Sequence, residues 1–116
     1  MSETRVKFRV YRGGVFVERE GIVDTGATFT KIPKWAASKI GLQAMYKAEV
    51  VLGDGRTMTR GLAYGEVEME GIRRLVPVAL GGDEEMPVIG YTTLEILGFK
   101  VNPVTGKLER TPAIEL

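Results

Sequence analysis

The chain has 116 residues, of which 44% are hydrophobic and 27% are charged, and its formal net charge is +1. This length and composition fit one folded domain over residues 1–116, and the near-neutral charge gives no reason to expect a nucleic acid as partner. No apolar run is long enough to cross a membrane, and the polar start Met-Ser-Glu-Thr-Arg predicts no secretion signal, so we expect a cytoplasmic protein.

The chain contains neither cysteine nor histidine. It therefore has no means of forming disulfides, cysteine-ligated metal sites, a thiolate nucleophile or a Ser-His-Asp arrangement. An acid–base catalyst in this chain has to be a carboxylate, a lysine or a tyrosine. We expect it to work without a metal ion or another cofactor.

Short segments of alternating or β-branched composition run along the chain, separated by glycine, proline and aspartate. This pattern predicts many short strands and a small barrel or sandwich. The charged residues 18–20 predict a hairpin tip or a kink, and Pro77 predicts an edge position or an irregularity. The predicted strands are residues 6–10, 15–17, 21–23, 49–52, 57–61, 62–70, 75–80, 87–90, 99–102 and 107–110. The predicted connections are residues 13–14, 53–56, 71–73, 103–106 and an exposed acidic loop at 81–85.

Two short helices are predicted between these strands. Residues 33–40 form the first, because Pro33 suits a first helical turn and Gly41 suits the position after a helix end. Its Trp35 is expected to be a packing anchor. The sequence Thr-Thr-Leu-Glu at residues 92–95 has the form of a capping box, which predicts a second helix over about 93–97 that stops at Gly98.

Residues 22–28, Ile-Val-Asp-Thr-Gly-Ala-Thr, carry the most functional information. An apolar strand runs directly into Asp24, and its burial would place the carboxylate at the floor of a site. Gly26 allows a sharp turn there, and the Thr25 hydroxyl is able to brace that turn. Asp-Thr-Gly alone is more often an ordinary turn, but the longer pattern is expected by chance in roughly one chain of this length in a thousand. The other two aspartates, Asp54 and Asp83, lie in glycine-rich loops.

These residues, together with a glycine-rich hairpin some thirty residues later and Val-Ile-Gly at 88–90 followed by a helix, resemble a retroviral-type (retropepsin-like) aspartic protease. The resemblance implies a mainly β fold: a small closed β-barrel of the acid-protease type with one or two short helices, a flap hairpin and a two-fold dimer. It implies that Asp24 is the catalytic aspartate and that Thr25 and Gly26 complete its loop. It also implies substrate contacts from Ala27, Thr28, Gly53, Asp54, Gly55, Arg56, Thr57, Met58, Val88 and Ile89.

A dimer also follows from the chemistry of amide hydrolysis. Without a metal, histidine or cysteine, the reaction needs one group that deprotonates water and another that protonates the carbonyl oxygen. Two facing carboxylates do both because they share one proton. This chain supplies one such aspartate, so two copies have to meet at a symmetry axis. We therefore expect a homodimeric endopeptidase acting on extended polypeptide, with a non-catalytic peptide-binding module and a monomeric structural β-domain as the alternatives.

Overall fold

A computed structural model describes residues 3–115 of the chain and confirms a mainly β fold. The strands and helices of this part, in chain order, are β1 Arg5–Arg12, β2 Val15–Val23, β3 Thr30–Pro33, α1 Lys34–Lys39, β4 Tyr46–Val51, β5 Thr57–Met69, β6 Ile72–Gly81, β7 Val88–Ile89, α2 Tyr91–Leu97, β8 Phe99–Val101 and β9 Leu108–Arg110. Neither described helix is long and apolar enough to span a membrane.

Seven strands form one sheet in the order β1-β2-β7-β3-β6-β5-β4, and β8 pairs with β9 separately. Most neighbours are antiparallel, but β2 pairs in parallel with β7, and β3 in parallel with β6. β1 additionally pairs with β5, residues 9–11 lying opposite residues 66–68. This pairing brings the first strand of the sheet against a strand from its other end.

The predicted hairpin tip or kink at residues 18–20 is wrong. β2 is continuous through these residues and pairs with β1 from Val15 to Ile22. Glu18 and Glu20 are exposed, and Glu18 pairs with Arg9 of β1 at 3.1 Å. Charged side chains on the solvent-facing side of an antiparallel pair are compatible with a regular strand, which is why the run of charges does not break it.

Residues 57–69 likewise form one long strand, where two adjoining segments were predicted. The turn that follows is at Glu70-Gly71, both with positive φ, so residues 72 and 73 already belong to β6. Pro77 lies opposite Tyr64 of β5, just before β6 begins to pair with β3 at Val78. It is thus in a part of β6 with β5 as its only paired neighbour, as an edge position requires.

Both helices lie close to their predicted positions, but the predicted capping box is wrong. Gly90 is the N-cap of α2, with no side-chain capping bond, and the helix begins two residues earlier than expected. Thr92, the cap residue of the predicted box, lies inside the helix, and its N–H donates to the Thr28 carbonyl at 3.0 Å. Thr93 is fully buried, and its hydroxyl bonds the Thr30 hydroxyl at 2.6 Å. Gly98 ends α2 in the left-handed conformation with φ 82°, as predicted.

The hydrophobic core lies between the sheet and the two helices. Trp35 does not anchor it, because this side chain is 39% exposed and lies against the Arg19 guanidinium, 4.8 Å from the ring centroid. Fully buried core side chains come from most elements of the main sheet: Phe8, Val10, Ile32, Val67, Met69, Val76, Val78 and Ile89. Leu94 and Leu97 of α2 close the core on one side.

Candidate active site

The Asp24 loop, residues 24–29, is held by backbone hydrogen bonds at the end of β2. The Asp24 N–H donates to the Ile89 carbonyl at 2.9 Å, and the Ala27 N–H donates to the Asp24 carbonyl at 3.1 Å. The Gly26 N–H donates to Asp24 Oδ1 at 2.9 Å. The backbone therefore fixes one carboxylate oxygen, and the other is free of protein partners among residues 3–115.

The predicted burial around Asp24 is only partial. Ile22 and Val23 are half-buried, and Asp24 is exposed in the single chain. The loop turns outward at the end of β2, so its carboxylate lies on the surface of this chain.

Strand β7 and the start of α2 support this loop from below. β7 lies parallel to the end of β2, with Val88 opposite Ile22. The Tyr91 N–H donates to the Ala27 carbonyl at 2.7 Å, and the Thr92 N–H donates to the Thr28 carbonyl at 3.0 Å. Together with the bond from the Asp24 N–H to the Ile89 carbonyl, these two hydrogen bonds connect the loop to residues 89–92 at three points.

Gly90 makes this close approach possible. A Cβ at this position would overlap the carbonyl group of Phe29 and would lie 2.9 Å from the Thr30 nitrogen. The Gly90 N–H donates to the Thr30 hydroxyl at 3.1 Å, and that hydroxyl also bonds Thr93. This buried polar network satisfies groups that would be costly to leave unpaired, and it fixes the height of the loop above β7.

The β4–β5 hairpin faces the Asp24 loop. Its turn is closed by a hydrogen bond from the Leu52 N–H to the Arg56 carbonyl at 2.7 Å, and Gly55 adopts φ 89° there. Asp54 accepts hydrogen bonds from the Arg56 N–H at 3.0 Å and from Arg56 Nε at 2.6 Å. Both charged side chains at the tip are therefore engaged with each other.

A cleft of about 460 Å³ lies between the Asp24 loop and this hairpin. It is lined by six of the residues implied by the resemblance: Asp24, Gly26, Ala27, Thr28, Gly53 and Val88. The other seven lie outside its lining: Thr25, Asp54, Gly55, Arg56, Thr57, Met58 and Ile89. Ile89 is fully buried, so its side chain supports the loop from the core and has no surface to offer a substrate.

Thr25 lies in a different cavity, of about 300 Å³. That cavity is bordered by α2, by β8 and by residues 111–114 near the end of the chain. Ile114 is 88% exposed, so part of this border is an uncovered apolar segment. A third cavity, of about 760 Å³, is larger than the cleft and lies between the start of β1 and the β8–β9 pair. It shares no residue with the cleft.

Sequence reasoning missed eight residues that line the cleft: Phe29, Lys31, Glu49, Val50, Val51, Leu52, Arg60 and Ala79. Four of them, residues 49–52, belong to the hairpin strand before the tip, whereas the resemblance implies hairpin contacts from residues 53–58 alone. The predicted strand at 49–52 was the available signal for this arm, because a hairpin presents both of its strands to whatever lies beneath it.

The acidic loop at 81–85 is exposed at Asp83 and Glu84, as predicted, but the predicted exposure is wrong for Glu85, which is half-buried. Glu85 Oε1 accepts hydrogen bonds from Lys31 Nζ at 3.0 Å and from Arg60 Nη2 at 2.6 Å. Its Oε2 accepts from Arg60 Nη1 at 2.8 Å and from the Gly82 N–H at 2.7 Å. The Arg60 hydrogen bonds, helped by Gly82 and Lys31 and opposed by burial, lower the pKa of Glu85 to about 2.

Comparisons with known proteins found one matching family model and solved structures of similar fold. The family model described as aspartyl protease matches residues 6–93. The solution structure of simian foamy virus (mac) protease is similar, with a TM-score of 0.57 and 12% identity over 78% of this chain and 90% of that one. So is the crystal structure of the retroviral protease-like domain of Ddi1 from Leishmania major, with a TM-score of 0.59 and 18% identity over 95% of this chain and 89% of that one.

At these identities the two structures establish the fold, which is retropepsin-like. A comparison with curated proteins found no match. Because the family match covers most of the chain, including the Asp24 loop, β7 and the start of α2, this chain belongs to the aspartyl protease family.

Proposed function

We propose that this chain is a homodimeric aspartic endopeptidase, which hydrolyses extended polypeptide with a water molecule activated by two Asp24 carboxylates, one from each copy. The observation that carries the proposal is the position of Asp24. Backbone hydrogen bonds hold it at the end of β2, and its carboxylate opens onto the cleft under the β4–β5 hairpin. This hairpin is the flap of the proposed enzyme.

The need for a second copy follows from the carboxylates near the cleft. Within the described residues, Asp24 and Glu49 are the acidic residues of its lining. Asp54 is paired with Arg56, and Asp83 accepts a hydrogen bond from the Trp35 N–H. One chain therefore does not place a second aspartate beside Asp24, and the exposed position of Asp24 leaves it accessible to a partner copy.

The proposed dimer gives each carboxylate a separate role. The ionised Asp24 takes a proton from water, whose oxygen attacks the carbonyl carbon, while the protonated Asp24 of the other copy donates to the carbonyl oxygen. The C–N bond then breaks as the leaving nitrogen takes a proton from the protonated Asp24 and the other Asp24 takes one hydroxyl proton from the tetrahedral intermediate, which restores the singly protonated pair. The Gly26 N–H holds Oδ1 at 2.9 Å, so the carboxylate plane is fixed before substrate arrives.

Thr25 and the segment near the chain end are the proposed dimer contacts. Thr25 directly follows the catalytic residue, and it shares a cavity with residues 111–114. Ile114 is 88% exposed, and a second copy would cover it. In this proposal Thr25 braces the axis and is not a nucleophile, because within residues 3–115 its hydroxyl makes no hydrogen bond to a base. The pairing of β1 with β5 supports the closed barrel that the resemblance implies. A cytoplasmic location stays a prediction.

A non-catalytic peptide-binding dimer is the alternative. One observation favours it: Asp24 Oδ1 already accepts the Gly26 N–H, and this bracing of the turn would be useful without any catalysis. The two proposals differ in turnover but not in peptide affinity.

The deciding experiment is cleavage of a peptide library between pH 3 and 7, with and without pepstatin. We expect the parent protein to cleave and the Asp24→Asn variant to lose at least about 10²-fold in rate, because the shared proton is gone. Asp83→Asn is the matched control, since Asp83 lies outside the cleft and an Asn there still accepts from Trp35. Equal rates for the parent and Asp24→Asn would refute catalysis, and affinity without turnover in both would support the binding module.

A further inference from the structure

Two cations and one carboxylate meet at the wall of the cleft. Lys31 of β3 and Arg60 of β5 both line it, and both bond Glu85, which follows β6 and is not part of the lining. The side chains of Lys31 and Arg60 are only 24% and 9% exposed. The cluster therefore contributes two cationic residues to the lining of the cleft and no carboxylate.

The charges of this cluster do not balance. Both Glu85 oxygens are occupied, since together they accept four hydrogen bonds. One carboxylate thus serves two cations, which leaves one excess positive charge in a partly buried position. Neither Asp24 nor Glu49, the acidic residues of the lining, makes an ion pair with Lys31 or Arg60 within residues 3–115.

Such an excess is costly, and an anion in the cleft would offset it. A partly buried cation loses hydration that only a close negative group replaces. Lys31 has two further N–H donors besides the one used by Glu85. The cleft that Lys31 lines is also lined by Val50, Ala79 and Val88, whose apolar groups reduce competition from water.

The packing around Gly81 leaves room for the Lys31 side chain. The aliphatic part of this side chain lies over Gly81 of β6, where a Cβ would come within 2.9 Å of Lys31 Cδ. The absence of a side chain at Gly81 thus makes room for the lysine. A solvent-exposed lysine would need no such accommodation.

The cluster lies a short distance from the reacting carboxylate. Lys31 pairs with Val88, and Val88 pairs with Ile22, two residues before Asp24. Two strand spacings place the backbone of Lys31 roughly 10 Å from that of β2. Since an extended peptide rises about 3.3 Å per residue, a substrate side chain within about three residues of the scissile bond matches this offset.

We propose that Lys31 and Arg60 form a subsite for an acidic side chain of the peptide substrate, within about three residues of the scissile bond. The substrate carboxylate takes the place of the missing second negative charge, and the apolar wall contacts the methylene groups of a glutamate. The inference rests on the proposed function, because it assumes that a peptide lies in the cleft.

The test uses peptides with acetylated and amidated ends, in which one glutamate or one glutamine is moved through three positions on each side of the scissile bond. Binding to the Asp24→Asn protein is measured by fluorescence anisotropy, and cleavage is measured with Asp24 intact. We expect about tenfold tighter binding of the glutamate peptide at one or two positions. A glutamine peptide with a free C-terminal carboxylate tests whether the end of a chain is recognised instead of a side chain.

Three variants identify the residue responsible. Lys31→Met keeps the aliphatic length and should bring the glutamate-to-glutamine ratio close to one, while Lys31→Arg should restore it. Lys39→Met is the matched control, because Lys39 is an exposed lysine of α1, outside both the cleft lining and the flap hairpin, and its ratio should stay at the parent value.

The possible results separate the inference from the proposed function. Cleavage without any glutamate preference, a preference that survives Lys31→Met, or a preference only for a free C-terminus would overturn the subsite and leave the protease standing. Glutamate preference in binding without cleavage would sustain the subsite and remove the protease. Failure of every peptide to bind or be cleaved would overturn both.

Discussion

The ion cluster at Glu85 predicts a specific dependence of stability on pH. The pKa of this carboxyl falls from an ordinary 4.5 to about 2 in the folded chain, chiefly because Arg60 donates two hydrogen bonds to it. A folded-state pKa below the unfolded value means that the ionised form stabilises the fold. The stabilisation is fully present above pH 4.5 and is lost as the pH falls through about 2.

The size of the effect follows from the pKa and the exposure of the carboxylate. A pKa lowered from 4.5 to about 2 corresponds to about 3 kcal/mol if fully expressed. The Glu85 side chain is 35% exposed, so solvent screening reduces the expected contribution to about 1–2 kcal/mol. This is a sizeable part of the stability of a domain of this length.

The assay is urea unfolding of the parent and Glu85→Gln between pH 6 and pH 2. At pH 6 the variant should be less stable by about 1–2 kcal/mol, because glutamine leaves the charges of Lys31 and Arg60 without a counter-charge. Most of that difference should vanish by pH 2. Glu84→Gln is the control, since Glu84 is exposed and forms no ion pair within residues 3–115, and it should follow the parent. A Glu85→Gln difference that is constant from pH 6 to pH 2 would refute the reasoning.

Two further predictions concern the support of the Asp24 loop. Gly90→Ala should lower the free energy of unfolding by about 3 kcal/mol and should also reduce cleavage, because its Cβ overlaps the Phe29 carbonyl group and displaces the loop. Thermal unfolding measures the loss of stability. Gly14→Ala is the control, because no atom lies within 4 Å of its Cβ. Thr93→Val should cost about 1–2 kcal/mol, because the buried Thr30 hydroxyl loses one of its two partners and keeps only the Gly90 N–H; unchanged stability in urea unfolding would contradict this.

The parts of the fold that were predicted correctly depend on local signals. Gly98 ends α2 because a left-handed residue there needs glycine, and this requirement is visible in the sequence alone. The strand before Asp24 and the short strand at Val88 also carry their own apolar signatures. Each of these features is decided by a few adjacent residues and needs no long-range contact to be predicted.

The errors occur where tertiary packing overrides a local signal. The segment 92–95 has the form of a capping box, which would make Thr92 the N-cap. The Tyr91 and Thr92 N–H groups instead donate to carbonyls of the Asp24 loop, far away in sequence, and the helix begins earlier. The charges at residues 18–20 resemble a turn, but they belong to a strand whose partner, β1, specifies the register, with Glu18 and Glu20 on its outer face. In both cases the decisive contact is long-range, and the local residues are equally compatible with another structure.

The cleft shows the same division between what is local and what is not. Asp24 is recognisable because its carboxylate, turn glycine and preceding strand are contiguous. The cluster of Lys31, Arg60 and Glu85 has no such signature, because its members come from three separate elements that meet only when β3, β5 and the loop after β6 are assembled. A contiguous motif therefore predicts the chemistry of the site, while the charge of the proposed subsite is created by sheet topology. For this reason the type of reaction is easier to predict from this sequence than the peptide on which the enzyme acts.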